Sequence, residues 1–203
     1  MTKPHSIAFN LDRFTPFSPP ELPAILEAAH AIGFSHSSYP GLGQLLRFLV
    51  STKPGGRFLE IGTGTGAGTC WLRSGMDAHS RLITVENDEA HAAVARKYLS
   101  HDPRIEFVTA EGGSYLRQQQ PGSFDLIFAD AVPGKCHSVP ETLQLLKPGG
   151  IYAVDDMLPQ QDWPAEYYPE AEQMVQGLAA VEGVISVGIS WSSGLVLMTV
   201  PAS

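Results

Sequence analysis

The run Phe58-Leu-Glu-Ile-Gly-Thr-Gly-Thr-Gly-Ala-Gly-Thr-Cys-Trp-Leu72 constrains the fold more than any other part of the chain. It predicts a buried strand over Phe58 to Ile61, a glycine-rich turn over Gly62 to Gly68, and the first turns of a helix. Glycine at alternate positions lets the backbone turn sharply and approach a ligand closely, because no Cβ intrudes. In open α/β sheets, a strand ending in such a turn at a helix N-terminus is a common nucleotide-cofactor site.

The followers of this turn come at the intervals of alternating strands and helices. Arg81 to Glu86, Ile105 to Thr109, Phe124 to Asp130 and Ile151 to Asp156 are apolar runs that read as strands. Helices are predicted from Pro23 to His30, Gln44 to Val50, Glu89 to Leu99 (capped by Asp88), Ser114 to Gln119, Ser138 to Leu146, and from about Pro169 to Val181. Ser35 to Gly43, Lys147-Pro-Gly-Gly150 and Met157 to Pro169 read as loops or helix ends. Val184 to Ser190 and Leu195 to Val200, joined by Trp191-Ser-Ser-Gly194, read as an antiparallel pair. Near-continuous apolar strands alternating with helices predict a parallel sheet covered on both faces and closed by an antiparallel last strand. Five prolines by position 23 (Pro4, Pro16, Pro19, Pro20, Pro23) predict an irregular N-terminal arm, a flexible leader or else a lid or dimer arm. The expected division is an arm and helix over 1–34 and a single domain over 35–203.

Ligands of such sheets bind beyond the carboxyl ends of the strands. That rim collects Gly62 to Gly68, Glu86, Glu111 with Gly112, Asp130, and Asp155 with Asp156. Glu86, 24 residues after Gly62, can accept both hydrogen bonds of a ribose diol, as an adenosine cofactor requires. A purely structural role at the helix start is already served by Asp88. Two cofactors remain open on these residues. Gly62, Gly64 and Ala67 fit a relaxed dinucleotide fingerprint, which would make the chain an NAD(P)-binding oxidoreductase. Glu60, two residues before the first glycine, suits a cationic, amine-bearing ligand such as a methionine-derived sulfonium better than a pyrophosphate. Asp130, Asp155 and Asp156 would repel one another unless a cation neutralised them, and oxygen-only ligands point to Mg²⁺ or another divalent cation. The alternative is that Asp155 and Asp156 only cap the following loop.

A net charge of −8, with 13 Lys and Arg scattered among 21 acids, excludes a basic stripe and so a nucleic acid as main partner. No apolar run approaches the ~20 residues of a membrane span. The first ten residues lack the apolar core of a signal peptide, so a cytoplasmic location is expected. Cys70 and Cys136 lie in unrelated contexts and predict neither a disulfide nor a zinc site.

From about Gly41 to Val200 the chain resembles the class I S-adenosylmethionine-dependent methyltransferases, and among them the small cation-dependent O-methyltransferases of the catechol and caffeoyl-CoA type. The carriers are Glu60-Ile-Gly-Thr-Gly-Thr-Gly66, Val85-Glu86, Phe128-Ala-Asp130, Leu146-Lys-Pro-Gly-Gly150 and Val154-Asp-Asp156. The resemblance implies a Rossmann-like seven-stranded sheet of order 3-2-1-4-5-7-6. It implies that S-adenosylmethionine is held by Glu60, Gly62, Thr63, Gly64, Gly66 and Gly68, by Glu86 with Asn87 at the ribose, by Glu111 and Gly112 at the adenine, and by Asp130. Asp130, Asp155 and Asp156 would hold the cation, and a homodimer is expected by analogy.

One position departs from that pattern. The group often places a catalytic lysine three residues after the acid matching Asp130, where this chain has Pro133; Lys135 follows two residues later. The expected catalytic residues are Asp130 and Lys135, with Lys135 as base if its loop is rearranged, and His36 and His137 as weaker candidates. The acceptor, a small molecule, should lie between the loops Ser35 to Gly43 and Met157 to Tyr168, against Tyr39, Trp163 and Tyr167. The expected reaction is methyl transfer to a small-molecule hydroxyl, assisted by a divalent cation. The nearer alternative is a metal-independent transfer to a carboxylate or nitrogen.

Overall fold

The computed structural model describes residues 17–160, 163–164 and 167–202. The expected N-terminal arm lies largely outside them. The strands are β1 (Arg57–Ile61), β2 (Arg81–Glu86), β3 (Ile105–Thr109), β4 (Phe124–Ala129), β5 (Leu146–Val154), β6 (Ile185–Ile189) and β7 (Leu195–Thr199). They form one sheet of order β3-β2-β1-β4-β5-β7-β6. The β1–β2, β1–β4, β2–β3 and β4–β5 pairs are parallel, and β7 runs antiparallel to both β5 and β6. The order reverses between β1 and β4, and a ligand crevice is expected at such a switch.

Helices α1 (Leu22–Ala31), α2 (Pro40–Ser51), α3 (Ala67–Gly75) and α4 (Glu89–Leu99) are followed by α5 (Gly112–Leu116), the single turn α6 (Val132–Lys135), α7 (Val139–Gln144) and α8 (Tyr168–Ala179). One core layer joins Leu59, Ile61 and Ile127 to Tyr152 and Leu178. The other joins Phe58, Leu126 and Phe128 to Leu42, Leu46 and Leu72. Alternate residues of β1 and β4 therefore bury on opposite faces, as a covered sheet demands. Leu22 and Ile25 of α1 pack with Cys70, Trp71 and Leu99, so α1 is part of the fold.

Two expected boundaries move. Helix α2 begins at Pro40, inside the stretch expected as a loop to Gly43. Pro40 supplies the helical φ at the first position and Tyr39 is extended (φ −64°, ψ 147°). Gly43 sits inside the helix because a Cβ there would overlap the indole of Trp71. Lys147-Pro-Gly-Gly150, expected to close a helix, lies within β5. It occupies a register shift opposite Phe124 to Leu126, where a proline costs no ladder bond. Gly149 N–H donates to Val200 O at 2.7 Å, and Lys53 Nζ donates to Gly149 O at 2.8 Å.

Candidate active site

The site starts from a buried carboxylate. Glu60, on β1, is fully buried. Its Oε2 accepts hydrogen bonds from Thr69 Oγ1 (2.5 Å) and Thr84 Oγ1 (2.6 Å). Thr63 Oγ1 lies 2.5 Å from Thr84 Oγ1 and must donate, since the Thr84 proton is committed to Glu60. The acid thus ties the glycine turn, β2 and α3 together from beneath. Burial pushes its pKa up to about 8 against the opposing hydrogen bonds of Thr69 and Thr84. Its Oε1 has no partner among the described residues. Gly68 lies directly above, and a Cβ there would overlap Oε1.

Over this anchor the turn is drawn close to neighbouring strand ends. Gly62 and Thr63 N–H groups donate to Val85 O (2.9 and 3.1 Å), and Asp130 N–H donates to Ile61 O at 2.8 Å. Gly62 has φ 97°, and a Cβ there would meet the Asp130 carbonyl oxygen at 2.8 Å. Glu86 Oε2 accepts from Gly64 N–H at 2.7 Å, while Oε1 accepts from Asn87 and Asp88 N–H, both at 3.0 Å. Three amides therefore fix the carboxylate, and each oxygen keeps lone-pair capacity toward the cavity.

A cavity of about 560 Å³ opens over these groups. Its lining includes Gly62, Thr63, Gly64, Thr65, Gly68 and Glu86, together with Phe34 and His91. The Phe34 and His91 rings lie 4.6 Å apart. His36, Tyr39, Gln160, Trp163, Pro164 and Tyr167 also line the cavity. Trp163 and Tyr167 meet edge to face at 4.9 Å. Both loops expected around the acceptor thus line the cavity, as do Asp130, Lys135, Asp155 and Asp156.

Asp155 and Asp156 follow β5, where successive side chains would point to opposite faces. Asp156 takes the left-handed conformation (φ 60°), which interrupts that alternation and lets both acids reach one cavity. Asp155 is buried and accepts a short hydrogen bond from Ser193 Oγ. Burial, then the charges of Asp130 and Asp156, raise its pKa to about 7. Oxygens of Asp130, Asp155 and Asp156 lie within 4.8 Å of one another. The cation between them is Lys135, whose Nζ is 3.0 Å from Asp130 Oδ1 and 2.8 Å from Asp156 Oδ2. Burial lowers the lysine pKa, but Asp130 and Asp156 outweigh it and hold the group above its ordinary value, as an ammonium.

Lys135 reaches in through a type II turn. Pro133 (φ −61°, ψ 129°) and Gly134 (φ 90°, ψ −29°) take its two central positions. The two extra residues that displace the lysine from the resembled pattern are thus folded back.

Several expected cofactor residues do not line the cavity. Glu60 lies below the turn. Gly66 packs on Ala95 and Leu99, and Gly112 on Ile61 and Pro133. Glu111 caps α5, accepting from Gly113 and Ser114 N–H (2.7 Å each), and Asn87 donates its N–H to Glu86. The exposed His137 lends its carbonyl to Gly134 N–H. Sequence reasoning missed Phe34, His91 and Ser193. Ring spacing 57 residues apart and a serine in a hairpin turn leave no local signal.

A family model described as "Methyltransferase domain" matches residues 59–157. These are the residues that carry the turn, Glu86, Asp130 and the paired acids, and the sheet has the order and the antiparallel seventh strand of that fold. Residues 59–157 are those of a methyltransferase domain, set within the seven-stranded sheet of that fold. Among relatives of this methyltransferase domain, a catechol O-methyltransferase of Niastella koreensis is 31% identical over 126 residues, 59% of this chain and 57% of that protein. A crystal structure of a provisionally assigned O-methyltransferase from Klebsiella pneumoniae is 28% identical, covers 95% of this chain and 94% of its own, and superposes with a TM-score of 0.78. The O-methyltransferase of Bacillus cereus, solved in complex with SAH, shares the fold (TM-score 0.78, 24% identity, 93% and 94% covered). The chain spans about half the length of the curated relatives it matches. No helix among the described residues is long and apolar enough to cross a membrane.

Residues at the two expected ligand sites can be tested against those ligands. An adenosine sulfonium suits the first: a turn pressed too close for side chains, a preset Glu86 carboxylate, and Thr65 Oγ1, a buried hydroxyl on the cavity wall without a partner among the described residues. A divalent cation fits the second poorly as it stands, because the Lys135 ammonium already bridges two of its three ligands.

Proposed function

We propose that this chain transfers the methyl group of S-adenosylmethionine to a hydroxyl oxygen of a small, planar acceptor. The observation that carries the reading is one cavity lined together by the glycine turn, Glu86, Asp130 and the aromatic side chains of Tyr39, Trp163 and Tyr167. The SAH bound to the Bacillus cereus protein and the catechol specificity named for the Niastella koreensis protein support donor and acceptor class.

The donor supplies an electrophilic methyl on sulfur. The turn and Glu86 would hold it, and the chain's remaining task is alignment. Bringing acceptor oxygen and methyl carbon to near-attack distance can contribute roughly 7–11 kcal/mol in favourable cases. The rings of Trp163 and Tyr167 would orient a flat acceptor, and the loop of Phe34 to Tyr39 would exclude water from the reacting atoms. Lys135, held as an ammonium, is set to stabilise negative charge on the acceptor oxygen rather than to remove its proton. A cytoplasmic location and a homodimer belong to this proposal as expectations from the resemblance.

Calorimetric titration with S-adenosylmethionine, S-adenosylhomocysteine and NAD(P)⁺, followed by mass spectrometry of reactions with a panel of hydroxyaromatics, tests the reading. Binding of the adenosyl compounds and a gain of one methyl on an acceptor are expected. Heat with a nicotinamide nucleotide alone would overturn it.

A further inference from the structure

We propose that the Lys135 ammonium is the resident cation of the Asp130–Asp155–Asp156 cluster and stands where a divalent ion would otherwise sit, so that methyl transfer proceeds without a metal. The proposal rests on the methyl-transfer reading above.

Three observations carry it. First, Nζ lies within hydrogen-bond distance of two of the three carboxylates, at 3.0 and 2.8 Å, and the side chain is only 7% exposed. A magnesium ion bonds its oxygens at about 2.0–2.1 Å, so no two ligand atoms can lie more than about 4.2 Å apart. The oxygens of the cluster lie within 4.8 Å of one another, and the ammonium already occupies the space among them. Contracting the cluster onto a metal would drive the ion into the space that Nζ holds.

Second, the backbone turn that carries the lysine is held in place. Its turn is closed by Cys136 N–H to Val132 O (3.0 Å) and Gly134 N–H to His137 O (2.8 Å). The Tyr152 hydroxyl, buried in the core, donates to the Gly134 carbonyl. A Cβ on Gly134 would meet Tyr152 Oη at 3.0 Å and Ala129 Cβ and Ile61 Cδ1 at 3.1 Å. The turn is thus seated in the core, and the backbone that presents Lys135 to the carboxylates is fixed. Third, Asp155 is already engaged by Ser193, whose carbonyl accepts from Leu158 N–H and Gln160 Nε2. Through its Oδ1 the acid ties the end of β5 to the hairpin turn.

In the transfer step the acceptor oxygen forms its bond to the methyl carbon as the carbon–sulfur bond breaks, and the sulfonium leaves as a neutral thioether. The hydroxyl proton passes to the Asp156 carboxylate, 34% exposed, and on to water. Lys135 keeps its three protons throughout and balances the charge on the oxygen.

Mn²⁺ binding, followed by electron paramagnetic resonance of the free ion, tests the proposal without needing an acceptor. Wild type should bind Mn²⁺ weakly. Lys135→Met should gain about tenfold or more in affinity, since a positive charge leaves a site of three acids, and Asp155→Asn in that background should lose the gain. Lys135→Gln provides a second neutral variant should Lys135→Met melt early, with circular dichroism as the check on folding. Stoichiometric Mn²⁺ binding by wild type at the cluster, or no gain in either folded lysine variant, would overturn the proposal. Where an acceptor is turned over, EDTA should leave the wild-type rate unchanged, and a rate abolished by EDTA and restored by Mn²⁺ also overturns it. Failure of the underlying methyl-transfer reading shows separately, as absence of S-adenosylmethionine binding.

Discussion

Glu60→Gln should change the pH dependence of stability more than stability itself. In the folded chain the Glu60 carboxyl has a pKa of about 8, against an ordinary value of 4.5. Between those values the folded chain binds the proton and the unfolded chain does not. Folding therefore takes up a proton, and stability falls as pH rises. The contribution is fully present below pH 4.5 and lost by about pH 8. The gap of roughly 3.5 pH units at about 1.36 kcal/mol per unit amounts to about 5 kcal/mol, with a slope of about −1.4 kcal/mol per unit in between. Glutamine keeps the shape and an oxygen for Thr69 and Thr84 but carries no titrating proton. Asp155 titrates in an overlapping window but is present in both proteins, so the difference between wild type and variant isolates Glu60. Urea denaturation followed by tryptophan fluorescence at pH 5, 6, 7 and 8 measures that difference. It should move steadily in the variant's favour, by several kcal/mol from pH 5 to pH 8. A difference that stays constant over this range would mean that Glu60 is ionised in the folded chain, and would refute the buried, neutral anchor.

Other outcomes follow from the same geometry. Glu86→Ala removes the acceptor for the Gly64, Asn87 and Asp88 amides, so S-adenosylmethionine affinity by calorimetry should fall about 10- to 100-fold, the scale of a charged hydrogen bond. Gly134→Ala combines φ 90° with contacts of 3.0–3.1 Å on three sides, and should cost about 1–3 kcal/mol in chemical denaturation. Ser193→Ala leaves Asp155 Oδ1 without its partner, and a loss of about 1–3 kcal/mol is expected by the same assay at pH 8, where the acid is mostly ionised.

Much of the fold could be read from the chain because the strands are apolar runs whose ends carry acids or glycine. Phe58 to Ile61, Leu82 to Val85 and Phe124 to Ala129 are buried almost throughout, and only a sheet covered on both faces accepts such runs. The turn residues of Trp191 to Gly194 likewise announced the closing hairpin. Misreadings fell where Pro and Gly carry more than one meaning. Pro40 begins a helix instead of preceding one, and Pro148 sits at a shift in register inside β5. A glycine that looks like a loop residue, Gly43, is small because Trp71 occupies the space beside it. Such reasons are tertiary and leave no mark on neighbouring residues.

The candidate site divides along the same line. Residues that act through the backbone path, Gly62 to Gly68 and the acids at strand ends, are legible because strand ends must share one rim. What those acids face is set by side chains from elsewhere. Glu60 is drawn beneath the turn by Thr69 and Thr84, and so becomes an anchor rather than a wall. The same reasoning explains Lys135. Counting residues from Asp130 puts it out of register, since five positions separate the two rather than three. A Pro-Gly pair, however, has a strong preference for the central positions of a type II turn, with glycine alone taking φ near 90° without strain. That turn reverses the chain within two residues and returns the ammonium to the carboxylates it would otherwise have passed. The spacing changed while the position of the charge did not. What did change is freedom of movement, because Gly134 is packed against Tyr152, Ala129 and Ile61. A lysine fixed in this way acts as a permanent charge, and a site built around a permanent charge has less need of one taken up from solution.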